Sequence, residues 1–294
     1  MHYVNWAIRN FILKEKTPLN CSLVLTDECN LYCKHCTVAH LGYPQRTLND
    51  IRKDLEILYA TGARVLVITG GEPFIWADIN GNTVENIVII ARQMGFFRIV
   101  ICTNGTYLLK STADYLWVSL DGFKADHDSI RGSAYNKVIE NIQNSDHKGI
   151  YINFTISSIN ASSFQNAARH ILDIKNVKGI LFHLYTNYIS GNESLMLDTY
   201  TRAKVLNDLL VFKKKHPIAV FNTFCGINAL IKNNWERRTY ASVTINQGVL
   251  SECCCRTGIY NEKVCRDCGC SPAVETWVLQ KLKLSAIIEN LRYL

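Results

Sequence analysis

Three thiols stand within eight residues, in the run Cys29-Asn30-Leu31-Tyr32-Cys33-Lys34-His35-Cys36, directly behind the apolar stretch from Cys21 to Thr26. A strand has to end where that run begins, and the run itself has to be a loop that can gather its sulfurs. Thiolates at this spacing make a metal site that lacks a fourth protein ligand. Structural zinc sites close with four protein ligands, whereas an iron–sulfur cluster held by three cysteines keeps one iron open to a substrate or cofactor. By themselves the three cysteines could equally be half of a zinc site.

The pattern of an apolar run followed by a polar turn recurs along the chain. Arg64 to Thr69 precedes Gly70-Gly71-Glu72-Pro73, and Arg98 to Thr103 precedes Asn104-Gly105. Tyr115 to Leu120, which contains Ser119, precedes Asp121-Gly122 and then His127-Asp128-Ser129-Ile130-Arg131-Gly132. Ile150 to Ser157 and Gly179 to Tyr185 are two further runs, and helical patterns lie between. Residues 49–60, for example, carry Ile51, Leu55 and Leu58 at i, i+4, i+7, with Asp50 and Asp54 near the start in favour of the helix dipole. Six strands alternating with helices predict a parallel sheet built from right-handed crossovers. Each motif comes directly after a strand, at the C-terminal mouth where a β/α barrel places its active site. Each reads as a mere turn in isolation; their order and spacing together carry the argument.

The spacing C-x3-C-x2-C, followed by GGEP, Asn-Gly and Ser-Leu-Asp-Gly at successive strand ends, resembles the radical S-adenosylmethionine (SAM) enzymes. The resemblance implies an α/β fold, a partial (β/α)6 TIM-type barrel open on one side, with a small Cys-rich C-terminal extension. It implies a 4Fe–4S cluster on Cys29, Cys33 and Cys36 that takes SAM at its open iron. One electron from a reductant such as flavodoxin or ferredoxin would cleave SAM to methionine and a 5′-deoxyadenosyl radical, which abstracts hydrogen from a substrate or adds to a double bond. By the same resemblance Gly70, Gly71, Glu72 and Pro73 hold the methionine ammonium. Asn104, Ser119, Asp121 and Arg131 bind the ribose and carboxylate, and His35 packs near the adenine.

At 294 residues, 48% of them hydrophobic and 19% charged, the chain can hold one barrel of about 200 residues and an appendage. It has neither a run of about 20 apolar residues nor a signal-peptide pattern, so it reads as cytoplasmic. Twelve cysteines in such a chain point to metal rather than disulfides. Cys21 and Cys102, inside strand-like runs, read as small buried hydrophobes. The net charge of +7 would suit an anionic partner but selects none. No Lys/Arg stripe with interleaved aromatics supports a nucleic-acid module, and a simple electron carrier would need no GGEP turn and no barrel. The substrate is open, with a lipid or isoprenoid and a peptide both in view.

The chain divides into three segments. Residues 1–19 form an N-terminal amphipathic helix with Trp6, Ile8, Phe11, Ile12 and Leu13 against Arg9, Lys14 and Lys16. It either packs on the barrel or makes a peripheral membrane contact through residues 1–16. Residues 20–220 are the barrel. Residues 221–294 carry Cys225, Cys253, Cys254, Cys255, Cys265, Cys268 and Cys270. Gly248 to Cys253 resembles the G-x4-C element of SPASM and twitch extensions, which implies an auxiliary 4Fe–4S cluster on Cys253, Cys265, Cys268 and Cys270, with Cys225, Cys254 or Cys255 as substitutes. A zinc knuckle is the rival. Pro18-Leu19 and the tail from Cys265 to Val274 also resemble enzymes of the adenosylhopane synthase type.

Overall fold

The computed structural model describes residues 2–188, 191–237, 240, 242–251, 261–281 and 283–291, so that Cys253, Cys254 and Cys255 lie outside the described residues. The elements run α1 (His2–Ala7), β1 (Asn20–Val24), α2 (Leu48–Ala60), β2 (Val65–Thr69), α3 (Val84–Met94), β3 (Arg98–Thr103) and β4 (Tyr115–Ser119). They continue with α4 (Lys124–Arg131), α5 (Tyr135–Asn144), β5 (Ile150–Ile156), α6 (Phe164–Leu172), β6 (Val177–Leu184), α7 (Thr199–Lys215) and α8 (Phe224–Lys232). β7 (Ser242–Asn246), β8 (Val249–Ser251), α9 (Glu262–Arg266), α10 (Ser271–Gln280) and α11 (Leu284–Leu291) complete the chain.

All strands lie in one open sheet, in the order β6-β5-β4-β3-β2-β1-β7-β8, parallel except for the β7–β8 hairpin. The six expected strands form within two residues of the apolar runs that announced them. β3 and β4 are joined by residues 104–114 without a helix. The Cys-rich stretch also gives the sheet β7, which pairs with β1 in the register Asn20↔Ser242. Gly248 turns the hairpin: Gln247 and Gly248 both have positive φ (50° and 77°), as a two-residue hairpin turn requires.

Helix α2 shows how the layers lock. Thr47 accepts from the Asp50 amide while Asp50 accepts from that of Thr47, a capping box. Ile51, Leu55 and Leu58 are then fully buried. Asp54, expected to serve the helix dipole, is instead buried and paired with Arg46, since a carboxylate taken from water needs a cation beside it.

The N-terminal helix widens into a π-helical turn, Ile8–Ile12. Trp6 is buried, donates Nε1–H to the Thr17 carbonyl (2.9 Å) and meets Phe11 edge-on. Of the two readings of this segment, the indole follows the packed one: it is turned inward, where its N–H finds a partner. Val4, Ile8, Ile12 and Leu13 are the exposed apolar residues of this segment. Among the described residues no helix is long and apolar enough to cross a membrane.

The open edge of β6 is covered by side-chain mimicry of a strand. Asn222 accepts from Phe182 N and donates to Phe182 O (both 2.9 Å), and Leu184 N donates to the Gly269 carbonyl. The helices behind it are held by buried charge: Lys213 pairs with Glu289 (3.1 Å), and Glu275 accepts from Thr223 N and Oγ1. Burial pushes Glu275 up to about 7 against the downward pull of the Thr223 hydrogen bonds. The folded value exceeds the unfolded one, 4.5, so the folded chain retains a proton that the unfolded chain loses. Stability from this group is complete below pH 4.5 and falls as pH rises through 7, by about 3 kcal/mol. Glu275→Gln, which keeps an acceptor for Thr223, should remove most of that fall. Equal losses between pH 5 and 8 for parent and variant, in denaturant titrations, would refute this account.

Candidate functional site

The cysteine loop is tied down at both ends. Leu25 N donates to Thr69 O, Gly71 N to Thr26 O and Glu72 N to Glu28 O, so the ladder between β1 and β2 continues into the loop. Further on, Lys34 N donates to Ile130 O and His40 N to Asp27 O. Cys29, Cys33 and Cys36 all line one cavity of about 290 Å³ at the C-terminal end of the sheet. Cys29 Sγ accepts from Leu31 N (3.5 Å) and Asn104 Nδ2 (3.7 Å), contacts of the kind that tune cluster thiolates. Burial pushes the Cys33 thiol up to about 11, opposed by the Arg131 guanidinium, and burial raises Cys29 as well.

Gly70 and Gly71 line the same cavity and have no room for a side chain. A Cβ on Gly70 would lie 2.3 Å from Thr26 O, and one on Gly71 2.1 Å from Glu28 O; Gly70 also has φ +134°. The Gly71 amide donates to Thr26 O; carbonyl oxygens are the acceptors an ammonium group needs. Glu72 stands elsewhere than the resemblance implied. It is fully buried behind the cavity wall, and its oxygens accept from Thr103 Oγ1 (2.7 Å), Asn104 N (2.6 Å) and Phe74 N (3.1 Å). Pro73, like Glu72, is not among the lining residues.

Asn104, Ser119 and Arg131 reach the cavity; Asp121 does not. Asp121 is completely buried, accepts from Arg131 Nε (2.5 Å) and Thr155 N (2.8 Å), and so aims the guanidinium. Burial, the largest influence, would raise its carboxyl, but Arg131 together with His35 and His127 holds it below the usual carboxylate range. His127, whose Nδ1 accepts from Asp121 N, is brought down to about 4 by burial and by Arg131, and is neutral. His35 lines the cavity and lies edge-on to Tyr185, with ring centroids 6.5 Å apart.

Residues that the motifs did not single out line the rest of the cavity: Ser22, Trp117, Asn153, Thr155 and His183 from the inner faces of the strands. His183 Nε2 stands 3.2 Å from Asn153 Oδ1. Cys102, expected to be a buried hydrophobe, lines the cavity as well, whereas Cys21 is fully buried as expected. The signal was the strand period. In β5, Ile150, Ile152, Phe154 and Ile156 are buried while Tyr151, Asn153 and Thr155 alternate with them. A parallel strand covered on both faces would be apolar throughout.

The family model described as "Radical SAM superfamily" matches residues 23–171, which hold the cysteine loop, the glycine cradle and Arg131. The chain belongs to the radical SAM superfamily. It is thus an enzyme whose cofactors are a 4Fe–4S cluster and SAM, and the loop thiols and the side-chain-free glycine wall around one cavity fit that pair.

This radical SAM chain is 27% identical over 245 residues to the pre-heme d1 synthase of Dinoroseobacter shibae, covering 75% of this chain and 59% of that protein. It is 27% identical over 154 residues to the antilisterial bacteriocin subtilosin biosynthesis protein AlbA of Bacillus subtilis, covering 48% and 33%. The chain therefore spans 59% or less of the length of these two relatives. In fold it is similar to Streptococcus suis SuiB solved with its precursor peptide SuiA (TM-score 0.64, 15% identity, 98% of this chain and 70% of that one). It is similar also to anSMEcpe solved with AdoMet and a peptide (TM-score 0.62, 16% identity, 86% and 79%). None of these four is of the adenosylhopane synthase type.

The tail of the radical SAM chain reaches its cavity. Gly269 is pressed onto β6, where a Cβ would lie 2.3 Å from that of Leu184, and its amide donates to Thr186 Oγ1 (3.0 Å). Cys270 is thereby brought to the cavity wall, and its amide donates to Cys268 Sγ (3.3 Å), repeating the Leu31–Cys29 arrangement. Cys225 lies on α8, with its Sγ 3.2 Å from Ser285 Oγ. Among the described residues no three Cys, His, Asp or Glu side chains close on one point as the ligands of a single ion would. A cluster makes a different demand, taking each thiolate at a separate iron.

Proposed function

We propose that the chain cleaves SAM reductively at a cluster held by Cys29, Cys33 and Cys36 and acts on a peptide. The cluster, once reduced, supplies the electron that breaks a carbon–sulfur bond of SAM and leaves a 5′-deoxyadenosyl radical able to take a hydrogen atom. The chain's residues bind and orient. Gly70 and Gly71 present carbonyls to the ammonium, Arg131 meets the carboxylate, Asn104 and Ser119 reach the ribose, and His35 with Tyr185 flanks the adenine. Glu72 and Asp121 act one step back, by fixing Asn104 and Arg131.

The observation that carries the peptide reading is the chemistry of the cavity wall. Among the described residues, beside the apolar Val67, Trp117, Leu184 and Tyr185, it offers Asn20, Ser22, Asn153, Thr155 and Ser242 but no Lys, Asp or Glu, and its one Arg, Arg131, is paired with Asp121. An isoprenoid would leave those polar groups unsatisfied. A haem precursor with several carboxylates would need more cations. Amide groups, each a donor and an acceptor without net charge, match the wall. The two structural neighbours solved with peptides lend the same reading support.

Reconstituted enzyme with SAM and reductant, given a fractionated cell extract, should form 5′-deoxyadenosine and shift the mass of a species that protease treatment destroys. A consumed species that survives protease or partitions into organic solvent would overturn the peptide reading. We propose further that Cys253, Cys265, Cys268 and Cys270 hold a second 4Fe–4S cluster, whose Cys270 corner would meet this cavity.

A further inference from the structure

Arg202, in the first turn of α7, forms no ion pair with a described residue, and its Nη2 is buried without a hydrogen-bond partner among them. Arg46, Arg131 and Lys213 are also taken from water, and each faces a carboxylate, that of Asp54, Asp121 and Glu289 respectively. A buried cation left single is strongly destabilising, so an anion belongs beside Arg202. Burial lowers its guanidinium, opposed by Asp267 and Cys268 and assisted by Arg237, which places it at the tail cysteines. Asp267 is half-exposed and stands 3.7 Å from Arg266 instead, whereas Cys268 is buried.

A second guanidinium approaches the same turn. Arg237 Nε donates to Cys265 O (2.8 Å) and its Nη2 to Arg266 O (2.7 Å), so it takes up carbonyls at the end of α9. It lies 4.2 Å over the Trp235 ring, whose Nε1 is another buried donor without a described partner. Two cations therefore meet at the turn from Cys265 to Cys268, one from α7 and one from the segment after α8. A cluster on these thiolates carries net negative charge, one unit more when reduced, and its potential follows charge and hydrogen bonds to its sulfurs. We propose that Arg202 is the counterion and a hydrogen-bond donor of the tail 4Fe–4S cluster at its Cys268 corner, and so makes that cluster easier to reduce. Positive charge beside the cluster favours the form with the extra negative unit, the more so in a buried setting. The inference rests on the reading that Cys253, Cys265, Cys268 and Cys270 hold a cluster, and it is independent of the substrate.

The test is a redox titration of the anaerobically reconstituted holoenzyme, with both clusters followed by electron paramagnetic resonance and told apart by the response of the first to SAM. Arg202→Gln should lower the midpoint of the second signal. At the parent's midpoint its reduced-to-oxidised ratio should fall about tenfold, which is about 59 mV for a one-electron couple. Arg202→Lys, which keeps the charge, should recover most of that shift, and in both variants the first cluster should titrate as in the parent. Iron content and the thermal unfolding midpoint show whether each variant has kept its cluster and fold. A second cluster held by Arg202→Lys but lost from Arg202→Gln would support the inference in a stronger form, the charge being needed for assembly. An unmoved second midpoint in Arg202→Gln at parent iron content would overturn it and leave the tail cluster standing. An equal drop in both variants, or loss of about four irons from both, would make Arg202 a packing residue and overturn it too. A parent with one tightly held zinc and about four irons would remove the tail cluster itself, and this role of Arg202 with it.

Discussion

Cys33→Ala should abolish SAM cleavage and strip about four irons from the chain while the fold persists, and Cys29→Ala and Cys36→Ala should do the same. None of the three belongs to the apolar core, which is built from the strands and from helix faces such as Ile51, Leu55 and Leu58. The loop keeps its backbone ties to Thr69, Ile130 and Asp27 whatever the cysteine side chains are. Removing one sulfur therefore leaves the cavity in place but leaves one cluster corner without its thiolate, and a cluster held by three protein ligands has none to spare. The comparison of stability is made with the iron-free parent, because a bound cluster stabilises the fold that holds it and that contribution is lost together with the cluster. The checks are 5′-deoxyadenosine production, iron content and the thermal unfolding midpoint. Any one of the variants that forms 5′-deoxyadenosine at the parent rate would remove that cysteine from the cluster.

Much of this site was legible because the barrel puts chemistry where strands end. The turn after β1, the glycines after β2, Asn104 after β3 and Asp121 after β4 announce themselves by local residue type, and the structure gathers them because parallel strands align their ends. What escaped was whatever depended on partners distant in sequence. Glu72 looks like a free acceptor until Thr103 and the Asn104 amide, 31 and 32 residues on, are seen to occupy it. Asp54 looks like a dipole residue until Arg46 folds onto it. Trp6 suits a packed or a membrane-facing helix alike until Thr17 takes its N–H. β7 escaped for another reason: Ser242-Val-Thr-Ile-Asn is short and half polar, and it becomes a strand by pairing with β1, more than 200 residues earlier. The substrate wall was present in the alternation of β5, where a polar residue at every second place contradicts a strand buried on both faces.

Anaerobically reconstituted chain should carry about eight irons, and Cys265→Ser/Cys268→Ser should lower that to about four while the first cluster and SAM binding survive. The tail cysteines show the features a cluster site asks for in a chain that already receives iron. Cys268 is buried and accepts an amide N–H, and Cys270 is pinned to the cavity wall by the contact of Gly269 with β6. A zinc knuckle would hold the same thiolates on one ion at about 2.3 Å each, so metal content is what separates the two. Cys265 and Cys268 sit at the α9–α10 junction, with Cys268 N donating to Cys265 O (3.2 Å), apart from the ladder that fixes the first loop. Their loss should therefore leave the electron paramagnetic resonance signal of the SAM-bound cluster intact and remove only the second signal. Metal analysis that returned one tightly held zinc and about four irons in the parent would defeat the second cluster and make the tail a structural cap on the open edge of β6.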